Sequence, residues 1–432
     1  MVVRKEIHER MSDPLTETVT SICPETAAPV FGKTRALAAA RLVVLVSFFD
    51  LFMQFPVVPP YARSIGASAA MVGLVVAAYS ASNLIGNLVA GFALDRWGRR
   101  VPILLGLTVA GTMLGAYAFV RDVGDLLLVR AAHGLAVATL TPGAFAIIGD
   151  AAAKSGRARA MGATGAMICV AAVLGPPFSG IVADRFGAKV VFVGMALVML
   201  MAGLVFLILT TGSLRVTLGV EGRTNSASLR DSDSFLNRGL LTAFAAALFL
   251  TFGLGIIVTH LPLRLTEAGW GRGAVGASIA TFALVAMFVM LSPLSRFSDQ
   301  RNRVRPIILG FGLLSVALFL LSFSPVAMSV FGGMCVFGLG FGLMFPSATA
   351  LVTDASPRRR RGAAFGIFYA VYSLGVVIGA ASSGLVADHA GDGSGLPLVM
   401  GGIVSIIAMG VLPIISRADS RGSHAAAQRR RV

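Results

Sequence analysis

Residues 188–211 read AKVVFVGMALVMLMAGLVFLILTT, a run whose single charged side chain is Lys189. A helix needs about 20 apolar residues to cross about 30 Å of hydrocarbon, where no water can satisfy an unpaired backbone group. The run therefore predicts a membrane-spanning helix. With eleven similar stretches it predicts spans 1 to 12, at 39–60, 71–94, 101–120, 126–149, 161–183, 188–211, 239–261, 274–295, 306–323, 327–352, 363–387 and 396–416.

The chain as a whole has the composition of a helical membrane protein. It is 56% hydrophobic and 13% charged over 432 residues, which is too apolar for a string of soluble domains. No cleavable signal peptide is expected, because the polar N-terminal tail lacks an apolar core, so span 1 directs insertion itself. The predicted organisation is an N-terminal tail, a six-span bundle, a linker, a second bundle and a C-terminal tail, at 1–38, 39–211, 212–238, 239–416 and 417–432.

The positive charge follows the topology of the chain. The formal net charge is +16, and 29 of the 36 lysines and arginines lie in the two tails, in the even-numbered loops or at the adjoining span ends. Arg130 is the one basic residue assigned to the interior of a span, beyond its first turn. Cytoplasmic loops of membrane proteins carry this excess. We therefore expect a multi-pass protein of the cell inner membrane, with both termini in the cytoplasm and with lipid, not nucleic acid, as its partner.

Cysteine placement argues against metal or redox chemistry. Cys169 and Cys335 fall within predicted spans and Cys23 within the tail, which is neither a disulfide framework nor a metal-ligand spacing. We expect no cofactor, no metal and no enzymatic nucleophile with its base.

The two halves of the chain are related by an internal repeat. A shift of 204 positions pairs Pro142 with Pro346 and Asp184 with Asp388 without a gap, and 16 of the 43 positions in 142–184 are identical. Because six spans separate equivalent positions, both halves have the same orientation about an axis along the membrane normal. This predicts an all-α membrane protein of twelve transmembrane helices in two pseudo-symmetric six-helix bundles, the architecture of a transporter.

The loop between spans 2 and 3 carries a recognisable signature. It reads Gly91-Phe-Ala-Leu-Asp95-Arg96-Trp97-Gly98-Arg99-Arg100, which resembles the cytoplasmic loop motif of the major facilitator superfamily. Arg130 with Gly134 resembles the arginine motif that the same superfamily has in span 4. The run Gly175-Pro176-Pro177-Phe178-Ser179-Gly180 resembles the span 5 motif of its antiporters.

The resemblance covers spans 1 to 12 and is strongest to the 12-helix drug:proton antiporter group. It implies the major facilitator fold. The second half departs from the pattern, because Ser295 and Asn302 replace two loop glycines and Met334 stands where Arg130 has its counterpart.

The resemblance also implies a set of conformational locks. Asp95 would cap the start of span 11 near Gly362, and Arg99 would pair with Asp150, since a carboxylate at a helix end meets exposed N–H groups and a positive dipole. The alternative is that these arginines only anchor the topology. The predicted lock residues are Gly91, Asp95, Arg96, Gly98, Arg99, Arg100, Asp150, Asp299 and Asp354.

Span 5 is predicted to be kinked and tightly packed. Pro176 and Pro177 each remove a helix hydrogen bond. Gly175 and Gly180 let another backbone approach, and span 8 of the other bundle is the expected neighbour. Small-residue faces occur in membrane helices of any function, so the antiporter meaning comes from the resemblance alone.

Asp50 is the leading candidate for the coupling residue. It lies near the middle of span 1, and Ser47 and Gln54 extend a polar stripe that we expect to face a central cavity. A charge there costs about 3 kcal/mol, so such residues usually mark a pathway or a proton relay. The alternative is an aspartate that neighbouring hydroxyls or an arginine simply satisfy.

Arg130 requires a partner at its depth in the membrane. Asp50 is the nearest candidate in the layout that the resemblance implies, and an Asp/Arg pair could couple a proton to solute binding. The alternative is an arginine that reaches the interface along its own stem. His133, one turn deeper, could relay protons, although a lone histidine in a packed helix is more often structural.

Polar and aromatic side chains of two other helices are candidates for the cavity lining. Uncharged polar residues serve equally well as hydrogen-bond links between helices. The candidates are Tyr79, Asn83 and Asn87 in span 2 and Tyr369 and Tyr372 in span 11. Phe48, Phe52 and Phe55 are expected to face lipid or core.

Together these features predict a secondary transporter that exports a small amphiphilic or drug-like solute in exchange for protons, by alternating access and as a monomer. Two alternatives remain open. One is a proton symporter or facilitator that imports a small metabolite or metal chelate, with Arg130 binding the anion. The other is a transport-inactive membrane sensor or scaffold.

Overall fold

The computed structural model describes residues 30–151, 157–211, 237–292, 303–357 and 361–429. Within these ranges, twelve spans are long and apolar enough to cross a membrane. Their helices are Val30–Met53, Ala69–Arg96, Arg100–Ala116, Val123–Val137 with Leu140–Ala151, Arg157–Phe186, Ala188–Thr210, Arg238–Glu267, Arg272–Leu291, Val304–Phe323, Ala327–Ala355, Arg361–Ala390 and Leu396–Arg429. The all-α fold predicted from the sequence is confirmed.

Span 1 begins and ends earlier than its predicted range of 39–60. Its helix, Val30–Met53, is followed by a turn and then by the separate short helix Val58–Ser64. Pro56 lies in that turn, and a proline has no N–H to donate and crowds the preceding helical turn. Asp50 therefore lies in the last turn of its helix, beside a break, and not in the middle of a continuous span.

Span 7 is longer than its predicted range of 239–261. The helix continues through Pro262 to Glu267, so Arg264, assigned to a loop from the sequence, lies within the helix and is 4% exposed. Its guanidinium donates to the carbonyls of Leu321 and of Ser322, the latter at 2.7 Å, near the end of span 9. A cation is favourable at these unpaired C-terminal carbonyls. Arg130 is thus not the only arginine buried within a span.

Two further helices differ from their predicted forms. Span 5 is helical throughout Arg157–Phe186, including Pro176 and Pro177. The last helix continues beyond residue 416 to Arg429, into the segment predicted as a solvated tail.

Spans 1–6 and 7–12 form two bundles, each around its own apolar core. Phe192 and Phe206 are among the largest fully buried side chains of the first core, and Phe311 and Phe337 among those of the second. Apolar side chains gain little by leaving lipid for another helix, so close backbone packing decides where membrane helices adhere.

The bundles meet along two seams, span 2 with span 11 and span 5 with span 8. We call the face at which span 1 begins and span 12 ends the tail face, and the opposite one the far face. Near the far face, a Cβ added to Gly180 would overlap the Arg272 carbonyl. A Cβ added to Gly73 would lie 2.5 Å from the Ala380 carbonyl. Only glycine permits this approach on both seams.

The same helices separate toward the tail face. A Cβ added to Gly91 in span 2, Gly165 in span 5 or Gly366 in span 11 would meet no atom within 4 Å. The hydrogen bonds that cross between the bundles among described side chains also lie at the far face. Among the described residues, the bundles are therefore closed against each other at the far face and separate toward the tail face.

We expect Gly180→Val to weaken closure of the far face, because the new side chain must displace the Arg272 backbone. Gly165→Val is the matched control, since it lies in the same helix and changes helix propensity equally but fills open space. The rate of maleimide labelling at Ala183→Cys, in a background without native cysteines, should rise severalfold only in Gly180→Val. Equal labelling rates in the two variants would contradict the tight seam.

Candidate functional site

A cluster of six polar side chains lies inside the first bundle. It consists of Asp50, Gln54, Tyr79, Tyr117, Arg130 and His133, which are between 0% and 8% exposed. We call it the buried cluster. Spans 1, 2 and 4 supply five of its members, and Tyr117 begins a turn of 3-10 helix at the end of span 3.

The buried cluster lies at about half the depth of a bilayer. Tyr79 is ten residues into the helix that begins at Ala69, and His133 is ten residues into the helix that begins at Val123. At 1.5 Å per residue, each is about 15 Å from the far-face end of its helix. The hydrocarbon layer is about 30 Å thick, so a charge here is far from water on either side.

Asp50 has one hydrogen-bonded and one free oxygen. Oδ1 accepts from Gln54 Nε2 at 2.9 Å. Oδ2 lies 3.3 Å from His133 Nε2, and neither atom has a hydrogen bond to any other described residue. Both side chains are completely buried. The ionisable side chain nearest to Asp50 is therefore a histidine.

Arg130 is held by three other groups. Its Nε donates to the Val75 carbonyl at 3.2 Å, its Nη1 donates to Gln54 Oε1, and its Cζ lies 4.5 Å from the centre of the Tyr79 ring. The ring face attracts a cation. The sequence predicted Asp50 as the partner of Arg130, but the partner is Gln54. The helix break after Met53 places the Gln54 amide between Asp50 and Arg130.

His133 is fixed from two sides. Its Nδ1 lies 3.5 Å from Tyr117 Oη, and the Tyr79 ring meets it edge-on at 5.4 Å between centroids. Tyr117 in turn stacks on Phe192 at 4.4 Å. Gly134 makes this arrangement possible, since a Cβ there would overlap the Tyr79 carbonyl. Span 2 therefore packs directly on span 4 at the level of the buried cluster.

The polar stripe of span 1 does not open into a cavity in this conformation. Asp50 and Gln54 point into the first bundle, toward span 4, and are 0% and 4% exposed. Ser47 Oγ donates to the Val43 carbonyl of its own helix at 2.7 Å. Protons can therefore reach Asp50 only when neighbouring groups move or relay them.

The candidates in span 2 divide between two tasks. Tyr79 belongs to the buried cluster. Asn83 donates to the Gly134 carbonyl at 3.1 Å, which makes it a link between spans 2 and 4. Asn87 is exposed and donates to Asn83 Oδ1 at 2.9 Å.

Opposite the buried cluster, the second bundle presents aromatic rings. Phe341 and Phe345 of span 10 stack at 5.6 Å, Phe345 meets Tyr372 of span 11 at 6.3 Å, and Tyr372 meets Tyr369 at 6.4 Å. Phe345 and Tyr372 are partly exposed and Tyr369 is 50% exposed. We call these four residues the aromatic face. Spans 8 and 11 contact the first bundle, and span 10 lies beside span 8.

The phenylalanines of span 1 line the boundary between the bundles. Phe52 and Phe55 pack against the core of the second bundle, and Phe48 stacks on Phe52 at 6.2 Å. Gly175 of span 5 approaches Phe52, since its added Cβ would lie 3.4 Å from the Phe52 Cβ. Two other residues of span 5 make the expected contact with span 8. Gly180 lies against Arg272, and a Cβ added to Gly276 of span 8 would overlap the carbonyl of Pro176.

The repeat equivalent of the predicted tail-face pair Arg99–Asp150 can be described. Arg303 Nε lies 3.2 Å from Asp354 Oδ2, and these two residues are the repeat equivalents of Arg99 and Asp150. Arg99 donates to the Ala146 carbonyl at 2.6 Å. The side chains of Asp95 and Asp150, and all of Asp299, lie outside the described part of the chain.

The other members of the predicted lock set shape the turn after span 2. Gly98 has a φ of 71°, a left-handed conformation that favours glycine. Arg100 donates to Thr211 Oγ1 at 3.1 Å, which joins spans 3 and 6, and Arg96 is exposed. Gly91 faces open space.

The far face carries two equivalent carboxylate latches. At the end of span 5, Asp184 accepts hydrogen bonds from the backbone nitrogens of Arg272 and Gly273, both at 2.9 Å, at the start of span 8. At the end of span 11, Asp388 accepts from Ala70 N at 3.3 Å at the start of span 2. Each carboxylate meets the positive end of a helix of the other bundle. The sequence analysis recognised the pair only as repeat equivalents.

A third contact closes the far face. Arg63 Nε lies 2.5 Å from Asp392 Oδ2, joining the short helix Val58–Ser64 to the loop after span 11. His260 and Arg264 of span 7 hold the second loop through the carbonyls of Ser394 and Gly393, at 2.7 and 3.1 Å. The loop is therefore anchored in its own bundle while it bonds to the other.

The described residues include no group of three or more histidine, cysteine, aspartate or glutamate side chains that could hold a metal ion. Two duplicated bundles around a buried ionisable cluster define a membrane transporter. A family model for the Major Facilitator Superfamily matches the chain twice, at residues 42–292 and 266–431. The chain belongs to this superfamily, and it is a multi-pass membrane transporter and not an enzyme.

Similar proteins agree with this assignment. Multidrug resistance protein 2 of Bacillus subtilis is 24% identical over 379 residues, which cover 85% of this chain and 92% of the relative. The uncharacterized MFS-type transporter MJ1560 of Methanocaldococcus jannaschii is 25% identical over 337 residues, covering 78% and 87%. The crystal structure of a bacterial homologue of the human lysosomal transporter Spinster, inward-facing and occupied, superposes with a TM-score of 0.75 at 17% identity, covering 88% and 96% of the two chains.

We expect the double variant Asp184→Asn, Asp388→Asn to open the far face more often, because each amide loses the charge that meets the helix dipole. The shift in population should be on the order of twofold to fivefold. Electron paramagnetic resonance distances between spin labels at Ser64 and Ala390 would measure it. Asp125→Asn is the control, since Asp125 is partly exposed at the far face but bonds within its own bundle. Unchanged distances in the double variant would rule out the latches.

Proposed function

We propose that this transporter exports a small amphiphilic solute in exchange for protons, with its tail face in the cytoplasm. The observation that carries the proposal is the completely buried contact of Asp50 with His133 at half the depth of the membrane. Ionisable groups are expensive at that depth and mark proton or substrate pathways when they occur there.

The buried cluster can hold one proton more or one proton less. Arg130 remains charged, so the cluster has a net charge of about zero when Asp50 is ionised and of about +1 when a proton is added. The two states differ in their cost of burial and in their attraction for a charged solute. A rearrangement that favours one state therefore couples proton release to solute movement.

The aromatic face supports an apolar or aromatic solute. Its rings offer stacking and apolar contact without any fixed charge among the four side chains. Phe52 and Phe55 of the first bundle pack against the core of the second and extend the apolar surface between the two. A solute between the bundles would thus touch rings on one side and lie close to the buried cluster on the other.

Two observations support the proposed membrane orientation of the protein and the proposed direction of transport. The excess of basic residues in the tails and even-numbered loops favours a cytoplasmic tail face in the cell inner membrane. The name of the Bacillus subtilis relative, a multidrug resistance protein, supports export. A proton entering down a potential of 100 mV supplies about 2.3 kcal/mol, which suffices for modest accumulation.

The import alternative is weaker because of how Arg130 is held. Val75, Gln54 and the Tyr79 ring already occupy its guanidinium, and it is buried. Binding an anion there would require breaking those contacts. The sensor alternative predicts no solute flux at all, so the experiment below decides it as well.

We expect purified protein in liposomes with an imposed pH gradient to move lipophilic solutes against their gradient. Asp50→Asn should insert and fold normally but lose at least about tenfold of the pH-driven flux, because the amide cannot carry a proton. Asp125→Asn is the control for loss of a carboxylate outside the cluster. A panel of lipophilic cations, anions and metabolites would define the solute class.

Two results would contradict the proposal. Unchanged pH-driven flux in Asp50→Asn would remove Asp50 from coupling. No flux of any panel member by the wild-type protein, under either gradient direction, would favour the sensor.

A further inference from the structure

Asp50, His133 and Tyr117 form a line of polar atoms across the first bundle. Tyr117 Oη lies 3.5 Å from His133 Nδ1, and His133 Nε2 lies 3.3 Å from Asp50 Oδ2. All three side chains are completely buried. The imidazole therefore stands between a group that can donate or accept a hydrogen bond and a group that accepts when ionised.

We propose that His133 and Asp50 share the transported proton, and that Tyr117 is a positioning residue that holds the ring in either protonation state. This proposal rests on the proposed function, since it names the atoms that would carry the coupling proton. It makes His133 a proton carrier and not a structural neighbour of Asp50.

The hydrogen balance follows from the geometry. In the proposed unloaded state Asp50 is ionised, Nε2 carries a hydrogen that a small rotation of the ring would direct to Oδ2, and Nδ1 accepts from the Tyr117 hydroxyl. A loading proton adds one hydrogen, which resides on Nδ1 and turns Tyr117 Oη into the acceptor. The hydrogen between Nε2 and Oδ2 then belongs to an imidazolium or to a carboxylic acid, and release removes one hydrogen and restores the first state.

The surroundings of His133 limit the other groups that could titrate with it. Asp50 faces it from span 1, Tyr79 from span 2 and Tyr117 from span 3, while Arg130 lies one turn away in span 4. Arg130 is occupied by Gln54, Val75 and Tyr79. The fixed positive charge of Arg130 makes it less favourable to add a proton to the Asp50–His133 pair, but Arg130 takes no part in the contact between those two side chains.

The second bundle argues against a purely structural role for His133. The repeat places Phe337 at the position equivalent to His133, Met334 at that of Arg130 and Leu321 at that of Tyr117. These three side chains are at most 1% exposed. The same fold is thus built at this depth with apolar side chains alone, so packing does not require a histidine.

Nitrogen-15 NMR of histidine-labelled protein in lipid nanodiscs tests the sharing directly. The resonances missing in His133→Gln belong to His133. We expect Nδ1 to change from unprotonated to protonated as the pH falls from about 9 to about 5, and the midpoint to move by about one pH unit or more in Asp50→Asn. In Tyr117→Phe the chemical shift of Nδ1 should change while the protein stays folded.

Transport in liposomes gives the second readout. The pH profile of pH-driven flux in His133→Gln should move toward acid by about one unit or more, because an amide stabilises the ionised carboxylate without binding a proton. His260→Gln is the matched control, since His260 is another buried histidine but lies in span 7 against Ser394.

The outcomes separate the two proposals. An Nδ1 that keeps one state throughout this range, or that titrates identically in Asp50→Asn, overturns the sharing even if pH-driven transport persists. A coupled titration in a protein that shows no pH-driven flux supports the sharing and overturns the proposed function.

Discussion

Hydrocarbon offers no hydrogen-bond partner and no counter-charge, and the rest of this structure depends on how the chain meets that constraint. Apolar helices satisfy their own backbones. The few ionisable side chains within the spans find partners inside the protein. Arg264 lies against helix-end carbonyls near the far face, where it stabilises a loop, whereas Asp50, Arg130 and His133 lie together at half depth. The first arrangement is structural, and the second is suited to hold a proton.

The two halves share one helical scaffold, but only the first half carries the buried ionisable cluster. The carboxylates Asp184 and Asp388 occupy equivalent positions and make equivalent cross-bundle contacts. The half-depth residues are not equivalent, because the second bundle has Met334 and Phe337 where the first has Arg130 and His133. Closure of the far face is therefore a property of both halves, while the buried cluster belongs to the first half and the aromatic face to the second.

Features that depend on local pattern were predictable from the sequence. Hydropathy located all twelve spans, and Asp50 and Arg130 were recognisable because a charge in an apolar run requires an explanation. The repeat predicted the two bundles. The partners were not predictable, because which side chain meets Asp50 depends on helix rotation and on the break after Met53. Tyr117 carried no signal at all, since a tyrosine at a span end is most often an interfacial anchor.

The central claim is that a proton shared inside the first bundle controls the contact between the bundles at the far face. The most direct test is the distance between spin labels at Ser64 and Ala390, measured as a function of pH in wild type and in Asp50→Asn. Because the latches and the far-face loops are the same in both proteins, a pH response that is lost in Asp50→Asn reports the buried cluster. The account predicts a pH-dependent change in the far-face distance of the wild type and none in Asp50→Asn. The same pH response in both proteins, or a wild-type distance that never changes, would contradict it.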